Sequence, residues 1–231
     1  DPYSFRCLPH IHGACRDALV QSSETINNEI NSVSDNPLIL SNGDIGFSGH
    51  FHAEHVAIAL DYMSIAIAEI GAISERRIHY FMKGVEGKFQ PFLAKNPGIE
   101  SGYMIAHVTA SALASENKTL AHPASVDSLP TSGGQEDHVS MAPWAGFKLL
   151  KIQKNVLSIL AIELLIAGAS FSLYHSKLKP GKGTSLMLKN IQNIIKAEKG
   201  DRSLTTEINE LKDIIENGKI FKILKSKGLL E

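Results

Sequence analysis

The sequence predicts an all-α protein built as a bundle of long helices. Three observations support this: apolar residues recur at intervals of three and four, strand-like alternation is almost absent, and loops rich in Pro, Gly, Asn and Ser separate the periodic stretches. The predicted helices are residues 13–33, 51–81, 102–120, 156–173, 184–197 and 203–224. The long loops between them, where functional residues are expected, are residues 35–49, 84–99 and 122–134.

The helix at residues 51–81 carries two apolar stripes. The first consists of Val56, Leu60, Met63, Ile67 and Ile70. The second consists of Ile58, Ile65 and Ala72. Because one stripe is enough for a helix that packs on a single side, this helix is predicted to lie inside a bundle.

The segment at residues 156–173 is nearly all apolar and approaches the roughly 18–20 residues that cross a bilayer. Glu163 lies in its middle, where a carboxylate costs about 3 kcal/mol on membrane-insertion scales. Ser158 and Gly168 dilute the apolar run further. A buried bundle helix is therefore favoured over a membrane span.

Composition and charge are those of an ordinary globular chain, with no indication of a nucleic-acid partner. Of 231 residues, 43% are hydrophobic and 20% charged, and the net charge is −1. Residues 175–231 are basic, with twelve Lys and Arg against seven Asp and Glu. Opposite charges recur there at helical spacing at Glu207, Lys212, Glu216 and Lys219, which predicts a solvated, salt-bridged helix.

The two cysteines and the start of the sequence give information on the cellular compartment of the protein. Cys7 and Cys15 lack CxxC spacing and further partners, which predicts free thiols in a reducing cytoplasm. The sequence opens at Asp1 without a secretory leader, so we expect an upstream portion outside these residues.

Histidines near residue 50 raise the question of a metal site. His50, His52 and His55 form an H-x-H-x-x-H pattern, and His10 and His12 form a second H-x-H. Metal-binding histidines usually come with carboxylate or cysteine ligands at a defined spacing, and Glu54 is expected to point away from the histidines. Histidines that line a pocket or cap the helix entry are therefore favoured, and no metal is predicted.

Two further segments offer candidate binding groups. Residues 131–137 place Gln135, Glu136 and Asp137 beside a glycine pair. Asp137 fits the N-terminal cap of a helix beginning near residue 138, which leaves Glu136 without a structural explanation. Near the start of the chain, Tyr3, Arg6 and Arg16 could share a pocket in which a guanidinium grips a carboxylate, although surface salt bridges remain open for each arginine.

Long strings at these loops resemble the histidine-specific branch of the aromatic amino-acid ammonia-lyase family. They are Asp-Pro-Tyr-Ser-Phe-Arg-Cys-Leu-Pro at residues 1–9, Ser-Asp-Asn-Pro-Leu at 34–38, Gly-His-Phe-His at 49–52, Ile-Ser-Glu-Arg-Arg at 73–77, and the 22-residue string at 120–141 that contains Thr-Ser-Gly-Gly-Gln-Glu-Asp-His. The resemblance implies an all-α long-helix bundle of the aromatic ammonia-lyase and aspartase–fumarase type, in a homotetramer. It also implies elimination of ammonia from L-histidine to give urocanate.

The resemblance implies roles for individual residues. Tyr3 matches the family's catalytic tyrosine, and Arg6 matches the arginine that holds the substrate carboxylate. Asn36 matches an asparagine near the electrophile, and Phe51 matches an aromatic residue that packs against substrate and electrophile.

Specificity for histidine rests on two matched positions. Glu136 falls where histidine-specific members place an acid facing the imidazole, with Gln135 as a weaker neighbour, and a carboxylate suits an imidazole N–H better than a plain phenyl ring. Cys7 follows the Arg-Cys pattern of the histidine branch. Departures from the family's pattern, which affect the shape of the pocket, occur at His10, His50 and Ala53.

The family's electrophile is a methylidene-imidazolone formed from an Ala-Ser-Gly tripeptide, and this tripeptide does not occur in the chain. We therefore expect the C-terminal portion of a lyase, with a core bundle at residues 1–178 and C-terminal helices at 179–231. Its expected partners are L-histidine and its own N-terminal half. An aminomutase, a related aromatic lyase and a non-catalytic helical assembly module remain alternatives.

The 231-residue chain alone is predicted to have no lyase activity, because it lacks the tripeptide that forms the electrophile. The check is an absorbance assay for urocanate with the purified chain and L-histidine. Measurable urocanate above a protein-free control would contradict the prediction.

Overall fold

The computed structural model describes residues 1–230, with the backbone alone at residue 198, and it is helical as predicted. The α-helices of the described residues are α1 Tyr3–Arg6, α2 Leu8–Ile30, α3 Glu54–Met82, α4 Met104–Leu120, α5 Ala142–Tyr174, α6 Lys182–Ile191, α7 Thr205–Glu216 and α8 Lys219–Ser226. Short 3-10 turns occur at His50–His52, Pro91–Leu93, Ser132–Gly134 and Ala197–Lys199. Helix α3 matches the helix predicted at residues 51–81, whereas α5 begins at Ala142, fourteen residues before the predicted start at residue 156.

The sequence predicts one helix at residues 203–224, but the structure has two. Helix α7 ends at Glu216 and α8 begins at Lys219, with Gly218 between them at φ 62°. A left-handed glycine after the last helical turn is a common helix terminator, because glycine has no Cβ to clash there. The Asn217-Gly218 pair is therefore the stop signal that the apolar periodicity concealed.

The only strands in the described part of the chain form a small hairpin. β1 (Leu38–Ile39) pairs antiparallel with β2 (Ile45–Gly46), with Leu38 opposite Gly46. Gly43 closes the connection at φ 88°, and the Asp44 backbone N–H donates to Asn42 Oδ1 at 3.1 Å. This hairpin gives order to the loop predicted at residues 35–49.

The chain divides into two compact units. The first unit comprises Asp1–Arg6, Gly71–Ser115 and Lys154–Glu231. The second unit comprises Cys7–Ile70 and Glu116–Gln153. Each unit is built from segments that are distant in the sequence, so its packing depends on long-range contacts.

The core of the first unit is centred on α5. Ile159, Ile162, Leu165 and Ile166 are fully buried and pack in one cluster with residues of α3, α4, α6 and α7. Two helical stretches, His50–Met82 and Ala142–Tyr174, are long and apolar enough to cross a membrane, and 50% of the most apolar window of the second is buried within the structure. That burial is typical of the core helix of a folded domain.

Glu163, the carboxylate inside this apolar helix, is paired within the first unit. Arg77 Nε contacts Glu163 Oε1, and Arg77 Nη2 donates to Glu163 Oε2 at 2.8 Å. Ser74 Oγ donates to the same Oε2 atom at 2.6 Å. Because both carboxylate oxygens accept hydrogen bonds from α3, this contact compensates the burial of the charge.

The basic tail differs from its prediction at Glu207, which is buried rather than solvated. Arg202 Nε and Nη2 each donate to the Glu207 carboxylate at 2.8 Å, and this pairing raises the pKa of Arg202. Charge alternation at helical spacing is therefore misleading here, since the partner of Glu207 precedes the helix.

A buried ion pair organises the second unit. Lys148 Nζ of α5 lies 3.6 Å from Asp61 Oδ1 of α3, and both side chains are about 5% exposed or less. Asp61 Oδ2 accepts the Ser125 backbone N–H at 2.8 Å, and Lys148 Nζ donates to the His122 carbonyl oxygen. These contacts tie the loop after α4 to helices α3 and α5. The same loop leads to the candidate residues at 131–137.

Replacing Glu163 by Gln is expected to lower the free energy of unfolding by about 2 kcal/mol, because Arg77 would keep its buried charge without an anionic partner. Urea unfolding followed by circular dichroism measures the change. The matched control is Glu210→Gln on the exposed surface of α7, expected to change stability by less than about 0.5 kcal/mol. Equal effects at the two positions would contradict the structural role of the pair.

Candidate active site

Tyr3 and Arg6 lie on the single turn of α1 in the first unit. Their spacing of three residues places both side chains on one face of the helix, and both are exposed, Tyr3 by 75%. The turn is anchored by the residues between them. The Ser4 carbonyl oxygen accepts from Arg77 Nη1 at 3.5 Å, and the Phe5 ring packs edge-on against Tyr80 at 5.1 Å.

Tyr3 borders a cavity of about 310 Å³ within the first unit. Arg76 and His79 of α3 are among the residues that line it, together with Lys83, which directly follows the helix. The positive charges of Arg76 and Lys83 in this lining suit an anionic group. Sequence reasoning missed Arg76, although it lies in the Ile-Ser-Glu-Arg-Arg string, and Arg6 is not part of this lining.

Arg76 is held by a buried acid. It forms an ion pair with Glu75, which is 1% exposed. Burial alone would raise the pKa of Glu75, but hydrogen bonds from Ser111 Oγ at 2.8 Å, from Arg76 and from His107 Nε2 at 3.2 Å lower it. The ionised Glu75 therefore positions Arg76 on the cavity side of α3.

Asn36 of the second unit is tied to the segment that leads to Phe51. Asn36 Oδ1 accepts the Ser48 backbone N–H at 3.0 Å, and Ser48 Oγ accepts the His50 backbone N–H at 3.0 Å. Phe51 sits in the middle of the 3-10 turn His50–His52 and is 58% exposed. Polar contacts thus order the loop between Asn36 and His50, while the Phe51 ring remains exposed to solvent.

Ala53 follows this turn in the left-handed region, with φ 63° and ψ 25°. An L residue with a Cβ pays roughly 1–2 kcal/mol in that conformation, whereas glycine does not. Ala53, one of the departures from the family's pattern, therefore occupies a conformation that glycine would adopt without this cost. This conformation also lets α3 begin at Glu54, immediately after the turn.

Glu136 ends a closed loop formed by residues 131–136. The Thr131 backbone N–H donates to the Glu136 carbonyl oxygen at 2.8 Å, and Gly133 and Gly134 supply positive φ angles of 66° and 91°. Thr131 Oγ1 and Ser132 Oγ both donate to Glu136 Oε2. These hydrogen bonds, that from Thr131 first, lower the pKa of the exposed Glu136.

Gln135 and Asp137 flank Glu136 in the same segment. Gln135 is exposed, and its backbone N–H donates to the Ser132 carbonyl oxygen at 3.3 Å. Asp137 does not cap a helix, because α5 begins only at Ala142. Residues 138–141 are not helical and Met141 has φ 59°, so the expectation of a helix near residue 138 is wrong.

His52 and His138 bring the Phe51 turn and the Glu136 loop together within the second unit. His52 Nε2 lies 3.2 Å from His138 Nδ1 and 3.1 Å from the His138 carbonyl oxygen, and the rings stack with centroids 5.3 Å apart. On the other side of the ring, His52 Nδ1 lies 3.4 Å from Glu54 Oε2. We define His52, Glu54 and His138 as the histidine pair cluster.

This cluster differs from the sequence pattern in two respects. Glu54 points toward His52 rather than away from it. His50 and His55 do not join the cluster: His50 Nε2 lies 3.8 Å from Glu29 Oε1, and His55 is exposed. Because residues 52 and 138 are 86 positions apart, spacing alone could not predict their contact.

Comparison with known proteins identifies the family. A family model described as aromatic amino acid lyase matches residues 1–193. Histidine ammonia-lyase from Caldanaerobacter subterraneus subsp. tengcongensis is 45% identical over all 231 residues. The crystal structure of histidine ammonia-lyase from Trypanosoma cruzi superposes with a TM-score of 0.92 at 38% identity over 98% of the chain. Tyrosine aminomutase from Streptomyces globisporus superposes with a TM-score of 0.89 at 28% identity over 98% of the chain.

The fold is thus that of the helical lyases, and the family resemblance seen in the sequence is confirmed. The chain belongs to the aromatic amino acid lyase family. It spans less than half of its relatives' length: 45% of the Caldanaerobacter and Trypanosoma proteins and 43% of the Streptomyces protein.

Replacing Thr131 by Val is expected to raise the pKa of Glu136 toward its ordinary value, because the first of the two hydroxyl donors is lost. Since the folded-state pKa is lowered, the interaction stabilises the loop above the ordinary carboxyl pKa and is lost as the pH falls through the folded-state value. Carboxyl-carbon NMR titration of Glu136 measures the shift. Ser140→Ala, which leaves both donors intact, is the control, and an unchanged pKa in Thr131→Val would refute the assignment.

Proposed function

We propose that this chain supplies substrate-binding and acid–base residues of a histidine ammonia-lyase. The reaction breaks the bond between the α carbon and nitrogen of L-histidine and a C–H bond at the β carbon. It forms a carbon–carbon double bond, releasing ammonia and urocanate without oxidation or reduction. The similarity to the Caldanaerobacter and Trypanosoma histidine ammonia-lyases supports histidine as the substrate.

The observation that carries the proposal is the geometry of Glu136. Its carboxylate is exposed, and it is held ionised by two hydroxyl groups rather than by a cation. Neutral donors leave the negative charge of the carboxylate in place while they fix its orientation. A carboxylate held in this way is a good acceptor for an imidazole N–H. Gln135 offers a further amide in the same loop.

Arg6 and Tyr3 act at the other end of the substrate in this proposal. The Arg6 guanidinium binds the α-carboxylate through paired hydrogen bonds, for which its planar fork is suited. The Tyr3 oxygen takes the proton from the β carbon as the general base. Tyr3 and Arg6 lie on one face of α1, which supports their acting at the same end of the substrate.

Asn36 and Phe51 are the residues we assign to the electrophile. The family resemblance implies a methylidene-imidazolone, which would supply an electrophilic centre that activates the substrate for loss of ammonia. An exposed amide and an exposed aromatic ring in one ordered loop fit such a polar, planar group. Ala-Ser-Gly does not occur in these 231 residues, so in our proposal another segment of a longer chain provides it.

Homotetrameric assembly in the cytoplasm completes the proposal. Its support is apolar surface in the second unit: Ile58, Tyr62 and Ile65 on α3 are each 44–56% exposed. On α5, Trp144 and Phe147 are more than half exposed. Contiguous apolar faces of this kind are usually covered by another subunit or chain segment.

The natural gene product is expected to convert L-histidine to urocanate, with kcat/KM reduced about 10- to 150-fold by Glu136→Gln, because a charge-assisted hydrogen bond is worth about 1.5–3 kcal/mol. Arg6→Lys should cause a loss of the same order, since lysine cannot form the paired contact. The measurement is the initial rate from urocanate absorbance. Asp137→Asn, an exposed neighbour of Glu136, is the matched control and should retain activity.

Two outcomes would overturn parts of the proposal. Turnover of L-phenylalanine or L-tyrosine with inert L-histidine would leave the family intact and remove the assigned role of Glu136. A β-amino acid product detected by mass spectrometry would indicate an aminomutase, as in the structurally similar Streptomyces protein.

A further inference from the structure

The histidine pair cluster has the dimensions of a metal site. Zinc–nitrogen bonds of about 2.0–2.1 Å place neighbouring tetrahedral ligands roughly 3.3–3.4 Å apart. His52 Nε2 and His138 Nδ1 are 3.2 Å apart. With Glu54, one donor atom from each side chain lies within 4.8 Å of the others. We propose that His52 and His138 bind a divalent transition-metal ion of the zinc class, with Glu54 orienting His52.

The position of Glu54 supports this assignment. Its Oε2 atom is buried, lacks a hydrogen-bond partner among the described residues, and lies 3.4 Å from His52 Nδ1. A buried carboxylate oxygen without a partner is costly, and a nearby positive charge offsets the cost. When Nδ1 carries the proton and faces Glu54, the Nε2 lone pair is free to bind the metal, as in many carboxylate–histidine–zinc sites. Metal binding would then replace the 3.1 Å contact between His52 Nε2 and the His138 carbonyl oxygen.

Ligand type and exposure define which ions fit. Imidazole nitrogens suit zinc, copper and nickel, whereas magnesium and calcium prefer oxygen ligands. His138 is exposed and the His52 side chain is 32% exposed, so water can complete the coordination sphere. The site therefore binds a solvent-accessible ion with open positions, unlike a closed structural zinc site.

A bound ion would join two distant parts of the second unit. His52 directly follows Phe51, and His138 lies two residues after Glu136. The ion would fix the Phe51 turn against the Glu136 loop. This inference stands independently of the proposed reaction, since it concerns only metal binding by the 231-residue chain.

The test is titration of the tag-free chain with Zn²⁺ by calorimetry, and with Co²⁺ by visible absorbance, which reports nitrogen coordination. Saturable binding of one ion per chain is expected, with no comparable binding of Mg²⁺. His138→Gln should abolish it, and Glu54→Gln should weaken it about tenfold by loss of the orienting contact. His55→Gln, which alters the sequence pattern but not the cluster, should leave the affinity unchanged.

Stability provides a second readout. Zn²⁺ should raise the Tm of the wild-type chain and of His55→Gln, because a ligand that binds the folded state stabilises it, but not that of His138→Gln. Circular dichroism establishes that each variant is folded before titration. The proposal is overturned if the wild-type chain shows no saturable Zn²⁺ binding, if folded His138→Gln binds as tightly as wild type, or if His55→Gln loses the site.

Discussion

The ion pair between Arg77 and Glu163 is the contact on which the first unit depends. It joins the two long helices α3 and α5, recruits Ser74 to the same carboxylate, and reaches α1 through the Ser4 carbonyl oxygen. A charge inside an apolar helix is tolerated only when its partner and hydrogen bonds are already in place. The same guanidinium that compensates Glu163 therefore also anchors the turn that presents Tyr3 and Arg6.

The second unit follows a similar principle with different residues. Asp61 and Lys148 are buried between α3 and α5, and each also binds a backbone group of the loop after α4. Asn36, Ser48 and Thr131 then order the exposed loops through polar contacts of their own. Buried polar groups thus fix the backbone around loops in which Phe51 and Glu136 are exposed.

Much of this architecture is local enough to be predicted from sequence. The apolar stripes predict α3 well, and the apolar run at residues 156–173 predicts the C-terminal part of α5, because helix periodicity and core burial depend on neighbouring residues. The predicted helix at residue 138 and the solvated Glu207 are wrong for one common reason. In both cases a plausible local rule, capping or charge alternation, was overridden by contacts made elsewhere.

In the candidate site, too, local features can be read from the sequence and contacts between distant residues cannot. The Glu136 loop is closed by residues four and five positions away, so its hydroxyl donors were visible in the sequence. The contact of His52 with His138 spans 86 positions and has no local signal. Family strings locate the candidate residues, whereas pairing across the fold requires the structure.

The neutral donors around Glu136 have a kinetic consequence. Because Thr131 and Ser132 carry no charge, the negative potential of the carboxylate extends into solvent instead of ending at a neighbouring cation. At physiological ionic strength that potential acts over a Debye length of about 8 Å, enough to guide an approaching imidazolium before contact. Protonated forms of a ligand would then encounter this loop faster than neutral ones, and added salt would slow the encounter while leaving the docked geometry unchanged.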